Sequence, residues 1–176
     1  MNELMSGREP VGAPFALKDQ HGRLVGPSQW QGQIVLLYFG YMSCPDACPT
    51  DLRAIAEAID LLGPDRGRVQ PVFITLDPER DVAELRGRYA ESFNSRFAAL
   101  GGTEAEIRGV ALAYKVWYDK VPGREGGYLI DHTSFTYVLN EEGRYVGYFP
   151  PGTSGRRMAQ LVRSLMGGHE GTGRSR

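Results

Sequence analysis

Ile34-Val35-Leu36-Leu37-Tyr38-Phe39-Gly40-Tyr41-Met42-Ser43-Cys44-Pro45-Asp46-Ala47-Cys48-Pro49-Thr50 runs from an unbroken apolar segment into the only two cysteines of the chain. A short continuous apolar run is what a strand buried on both faces requires. Behind it, Leu52, Ile55, Ala56, Ile59 and Leu62 recur at spacings of three and four, and Gly63-Pro64 supplies a stop signal, so this stretch predicts a helix. A strand thus delivers two sulfurs to the start of a helix. Backbone N–H groups and the helix dipole favour the thiolate there, the form that binds metals and attacks disulfides. With Pro49 read as the first helical residue, Cys48 falls near the cap and is expected to have the lower pKa of the pair.

Working outward toward the N-terminus, Phe15-Ala16-Leu17 and Arg23-Leu24-Val25 flank the polar turn Asp19-Gln20-His21-Gly22 and predict a β-hairpin. Toward the C-terminus, residues 69–76 predict a second buried strand, and 81–93 a helix carrying Val82, Leu85, Tyr89 and Phe93. A third helix starts at Thr103, whose Glu106 completes a capping box, and reaches Tyr114. Residues 135–139 and 145–149, joined by Asn140-Glu141-Glu142-Gly143, predict a second hairpin. The closing helix covers 154–166, with Met158, Leu161, Val162 and Leu165 on one face. The order is hairpin, then βαβα, then ββα, and right-handed crossovers leave few topologies for it. Ligands of open α/β sheets sit beyond the carboxyl ends of strands, where Cys44, Cys48 and Asp77 all fall.

A chain of 176 residues with 41% hydrophobic and 23% charged residues suits one globular domain with a single core. A net charge of -1, with no Lys/Arg block or aromatic-basic interleaving, argues against a nucleic-acid partner. Residues 1–10 contain no apolar segment of signal or membrane-spanning length, so the chain as it stands reads as soluble. The tail at 167–176, built of Gly, Ser and charged residues, is expected to be disordered.

Three stretches stand out in order along the chain: the segment from Tyr38 through Cys44 and Cys48 to Thr50, then Thr75-Leu76-Asp77-Pro78-Glu79-Arg80-Asp81, then Asp131-His132-Thr133-Ser134. Together they resemble the Sco/SenC family of copper-binding, thioredoxin-like proteins that help assemble the copper site of cytochrome oxidase. The chain resembles that family over residues 11–166, with 1–10 a separate N-terminal segment. The resemblance implies an α/β, thioredoxin-like fold, with a central mixed sheet flanked by helices and an N-terminal β-hairpin extension. It implies one copper ion, Cu(I) or Cu(II), on Cys44, Cys48 and His132, with Asp77 or Asp131 in support. Soft thiolates prefer Cu(I) and imidazole also serves Cu(II), so such a donor set can hold either state. The implied partners are the copper-site subunit of cytochrome c oxidase and another copper chaperone. The implied setting is a monomer at the periplasmic face of the inner membrane, through an anchor that residues 1–10 do not supply.

Plainer readings stand beside these. Two cysteines at this spacing can be a structural pair, and Asp77 before Pro78 can simply cap a turn. His21 lies in a turn and His169 in the tail, and neither is assigned to the site. Tyr38 and Phe39 are expected in the core, Tyr41 and Met42 as a shield over the cysteine loop, and Arg80 and Asp81 as solvated or capping residues. Residues 120–127, rich in Gly and charge, read as a flexible or partner-facing loop. The rival function is a thiol-disulfide oxidoreductase that uses Cys44 and Cys48 as a redox pair to keep an oxidase subunit's cysteines reduced. A peroxidase ranks lower because Tyr41, not Thr or Ser, stands three residues before Cys44, and structural zinc lacks a fourth donor.

Overall fold

The predicted N-terminal hairpin forms from two short strands, β1 (Leu17–Lys18) and β2 (Leu24–Val25), paired antiparallel around a turn in which Gly22 adopts a φ of 79°. The computed structural model describes residues 10–45 and 47–167. The expectations for residues 1–9 and for the tail beyond Gly167 therefore lie outside the described residues, as does Asp46.

The apolar run at 34–40 becomes β3 (Ile34–Gly40), with all seven residues buried. Helix α1 (Ala47–Leu61) follows, then a 3-10 turn at 63–68 and β4 (Val69–Thr75), which lies parallel to β3 in the register Gly40↔Thr75. Helix α2 (Ala83–Phe93) leads to β5 (Ala98–Leu100), a third parallel strand absent from the sequence reading. At three residues, β5 is too short to show a period. In α3 (Glu104–Ala113), the Thr103 hydroxyl accepts from the Glu106 N–H, the predicted N-cap bond.

Residues 120–127 are not simply a loop. They belong to a hairpin of β6 (Tyr118–Pro122) and β7 (Tyr128–His132), a separate two-stranded sheet closed by a short 3-10 turn. Only Ile130 of its ten strand residues is buried, so neither strand carries the apolar alternation that marks a strand in sequence. Two last strands, β8 (Thr136–Leu139) and β9 (Tyr145–Phe149), turn through Gly143 and complete a mixed sheet of order β5-β4-β3-β8-β9. Helix α4 (Gly155–Gly167) packs on α1 through Met158, Ala159, Val162 and Met166. Leu165, expected on that face, is exposed, because the buried stripe passes through Ala159 and Met166 instead.

This is the α/β, thioredoxin-like arrangement expected of the chain, with β3 at its centre. Beneath β3, the rings of Phe39, Tyr114 and Tyr137 pack mutually with centroids 5.7–5.9 Å apart. Such pairs each contribute about 0.5–1.5 kcal/mol beyond the area they bury. Among the described residues, no helix is long and apolar enough to cross a membrane.

Candidate metal centre

β3 ends at Gly40, and the chain turns through Tyr41, Met42 and Ser43 to reach Cys44 at the rim of the sheet. Gly40 is required there. A Cβ on it would lie 2.9 Å from the Cys48 sulfur and 2.9 Å from the Tyr38 ring, closer than such atoms approach. The turn is held from the next strand, since the buried Asp81 carboxylate accepts from the Met42 N–H at 3.0 Å and from the Thr75 hydroxyl at 2.8 Å. Asp81 is thus neither a solvated residue nor a helix start, which corrects the sequence reading. Burial pushes its carboxyl above the ordinary range.

Helix α1 begins at Ala47, so Cys48 lies in its first turn and Pro49 comes third rather than first. The Cys48 N–H points at the Cys44 sulfur at 3.5 Å, one of the first-turn donors that lack a carbonyl partner. Neither cysteine is joined in a disulfide. Cys44 is half-buried and Cys48 fully buried. The hydrogen bond with Cys44, together with burial, pushes the Cys48 thiol far up, where the sequence reading expected a lowered one. Proximity to a helix start is outweighed by the neighbouring sulfur and by loss of solvent.

His132, the last residue of β7, brings its Nε2 to 3.4 Å from the Cys48 sulfur. Its Nδ1 lies 2.9 Å from the Thr133 carbonyl oxygen. A carbonyl only accepts, so Nδ1 carries a proton, and in the neutral ring the lone pair left on Nε2 faces the sulfurs, the tautomer a metal requires. The donor atoms of Cys44, Cys48 and His132 all lie within 4.8 Å of one another, a group that can hold a metal ion. Tyr38 and Tyr41 set their rings edge-on to the imidazole, at centroid distances of 6.5 and 5.8 Å. Both are buried, so Tyr41 closes the inner wall as expected, and Tyr38 joins it.

The two supporting candidates lie elsewhere. Asp77, fully buried beyond the end of β4, takes the Tyr128 hydroxyl at 2.7 Å on one carboxylate oxygen and the Arg80 guanidinium on the other. Arg80 also stacks on the Tyr128 ring at 3.7 Å, so it is paired rather than merely solvated. Burial and the bond to Asp77 push the Tyr128 phenol up to about 12, keeping it a donor at neutral pH. Asp131 is exposed, opposite Asp119 on β6. Neither carboxylate belongs to the three-donor group.

One residue near the sulfurs escaped the sequence reading. Asp51, one helical turn after Cys48, is buried and accepts from the Tyr38 hydroxyl at 3.2 Å and from the Gly152 N–H at 3.1 Å. Burial pushes its carboxyl up. An Asp on the otherwise apolar face of a predicted helix, as in Asp51-Leu52, was the available signal.

The SCO1/SenC family model matches residues 4–167. The chain belongs to the SCO1/SenC family. A SCO2-like protein of Rickettsia prowazekii is 37% identical over 156 residues, covering 88% of this chain and 76% of its own. Among solved structures, Bradyrhizobium japonicum ScoI with copper bound is 37% identical at a TM-score of 0.81, covering 88% of this chain and 99% of its own. Arabidopsis thaliana ScoI with copper bound is 33% identical at a TM-score of 0.84, covering 90% and 99%. This Sco chain therefore shares a thioredoxin-like fold with relatives that hold copper.

Proposed function

We propose that this Sco protein binds one copper ion through the sulfurs of Cys44 and Cys48 and Nε2 of His132, and passes it to the copper site of cytochrome c oxidase. The observation that carries the reading is the convergence of two sulfurs and an imidazole nitrogen within 4.8 Å. Two soft sulfurs with one imidazole suit copper in either oxidation state, and copper-bound Sco relatives support the choice of metal. Three donors leave a coordination position for an incoming ligand, as transfer by ligand exchange needs.

The residues around the donors prepare the exchange. Thr133 holds the tautomer of His132, the rings of Tyr38 and Tyr41 shield its inner side, and Cys44 and His132 are only half-buried. Because the Cys48 thiol is pushed up, metal uptake must release its proton, so apparent affinity rises with pH. The oxidase subunit as recipient, a second copper chaperone as donor, monomeric action and an extracytoplasmic site are parts of the same proposal, supported by family membership. Titration of the reduced protein with Cu(I) and Cu(II), repeated on His132→Ala, tests the reading. Native affinity and an unchanged visible spectrum in that variant reject the three-donor site.

One observation favours a second reading, thiol-disulfide exchange. A half-buried Cys44 beside a buried Cys48 suits an attacking and a resolving thiol. The Cys44 thiolate would attack a partner disulfide, and Cys48 would resolve the mixed disulfide, leaving the partner with two thiols and this chain with a Cys44–Cys48 bond. A mixed disulfide trapped by Cys48→Ser supports that reaction, and its absence with oxidised partner peptides rejects it.

A further inference from the structure

The two halves of the donor set belong to different pieces of the molecule. Cys44 and Cys48 ride on the loop leaving the central sheet, whereas His132 ends a hairpin whose strands join no strand of that sheet. Something must fix the distance between them, because a sulfur and a nitrogen meet one ion only within narrow limits. The segment 75–81, from the last residue of β4 onward, touches both halves.

Toward the cysteines, Asp81 accepts from the Met42 N–H at 3.0 Å, two residues before Cys44. Toward the histidine, Asp77 accepts from the Tyr128 hydroxyl at 2.7 Å, four residues before His132. Arg80 closes that end by pairing with Asp77, donating to the Tyr128 carbonyl at 3.1 Å and stacking on the Tyr128 ring at 3.7 Å. Thr75 joins the two arms, because its hydroxyl donates to Asp81 at 2.8 Å and accepts from the Asp77 N–H at 2.9 Å. The chain of bonds thus runs from Met42 through Asp81, Thr75 and Asp77 to Tyr128. Thr75, Asp77 and Asp81 are all buried, where such bonds are least loosened by water. The hairpin itself buries only Ile130 and so has little packing of its own to hold it.

We propose that the Asp77–Arg80–Tyr128 clamp, tied through Thr75 and Asp81 to the cysteine loop, positions His132 against Cys44 and Cys48 and so sets the affinity of the three-donor site. Asp77 acts at a distance as a positioning residue and binds no metal. The proposal rests on His132 being a ligand. A further tether, from the Ile130 backbone to Tyr41, keeps the hairpin attached when the clamp is cut, and the Thr133–Trp117 bonds hold its own two ends together. The effect is accordingly a graded loosening.

Two variants and two readouts test it. Tyr128→Phe deletes one hydroxyl and keeps the stacked ring, while Asp77→Asn weakens both arms of the clamp. Amide hydrogen exchange on the metal-free protein is expected to quicken about tenfold at residues 128–132, equivalent to ~1.4 kcal/mol, and not in β3. Cu(II) affinity is expected to fall about tenfold, as for other partners that orient a ligand, with weakened nitrogen coupling in the electron paramagnetic resonance spectrum. Cu(I) stoichiometry stays at one per chain. Should Asp77→Asn not fold, Tyr128→Phe carries the test by itself. Native exchange at 128–132 overturns the clamp, and so does a loosened hairpin with native nitrogen coupling and affinity. A native titration of His132→Ala instead overturns the three-donor reading, whereas the exchange readout needs no metal and judges the clamp separately.

Discussion

The sulfur of Cys48 and Nε2 of His132 lie 3.4 Å apart although 84 positions separate them in the chain. The contact joins the first turn of α1 to the end of the β6–β7 hairpin, so it exists only in the folded protein. Removing either side separates the roles of the donors. In His132→Ala the two sulfurs remain, and Cu(I) binding is expected to persist. Cu(II) affinity is expected to fall on the order of 100-fold, at or beyond the upper end of what partners of ligands contribute. Competitive titration with a chelator of known affinity measures both, and equal losses for the two oxidation states would contradict this division.

The cysteines are expected to react in a definite order. Cys44 is half-buried, whereas Cys48 is buried with its thiol pushed up by Cys44 and by loss of solvent. Iodoacetamide under native, reducing-agent-free conditions should therefore modify Cys44 about tenfold faster or more, since the thiolate is the nucleophile. Peptide mapping by mass spectrometry reads the ratio, and earlier labelling at Cys48 would refute the assignment.

Gly40→Ala is expected to lower stability by about 1–3 kcal/mol, as overpacking of a rigid core does. The added Cβ meets the Cys48 sulfur and the Tyr38 ring at 2.9 Å, and both are held in the core. Urea unfolding measures the loss, and metal affinity should fall with it because the sulfur is displaced. A change below about 0.5 kcal/mol, the scale of inert surface substitutions, would show that the site yields more readily than its packing implies.

Two buried carboxylates should respond to pH with opposite signs. For Asp19, burial acts to raise the pKa, but the N–H groups of Arg23 and His21 and the Arg23 guanidinium outweigh it and hold the carboxyl below 3.8. Its stabilisation is therefore present above pH 3.8 and is lost as pH falls below that value. Asp81 is raised above 3.8 by burial, so the native state keeps that proton to higher pH than the unfolded chain. Its contribution therefore grows as pH falls through the raised pKa toward 3.8. Denaturant unfolding of native protein, Asp19→Asn and Asp81→Asn across this range tests the pair. The gap between native and Asp19→Asn should close in acid, while native should gain on Asp81→Asn, and slopes of like sign would refute the reading.

The strands and helices were legible wherever burial leaves a period. The run at 34–40, the helix with Ile55 and Ile59, and the Thr103 cap follow from neighbours a few residues apart. The β6–β7 hairpin was illegible because its strands bury one residue and show no period, and β5 because it is three residues long. Asp81 and Arg80 were misread for a related reason. A charged residue in a loop is ordinarily solvated, and only the Met42 N–H on Asp81 and the Tyr128 ring against Arg80 make the first internal and the second paired.

By itself, the order of residues determined that a buried strand hands two sulfurs to a helix, and by its three motifs it identified the family to which the chain belongs. Local pattern suffices for that, because hydrophobic period and turn chemistry act over a few residues. The tertiary structure alone decided that Nε2 of the His132 imidazole meets those sulfurs, that burial and the neighbouring sulfur push the Cys48 thiol up, and that Asp77 grips Tyr128 outside the donor group. Each depends on distances between segments far apart in the chain, on the water excluded between them and on the partners left to each buried polar atom. These quantities come into being only when the segments pack.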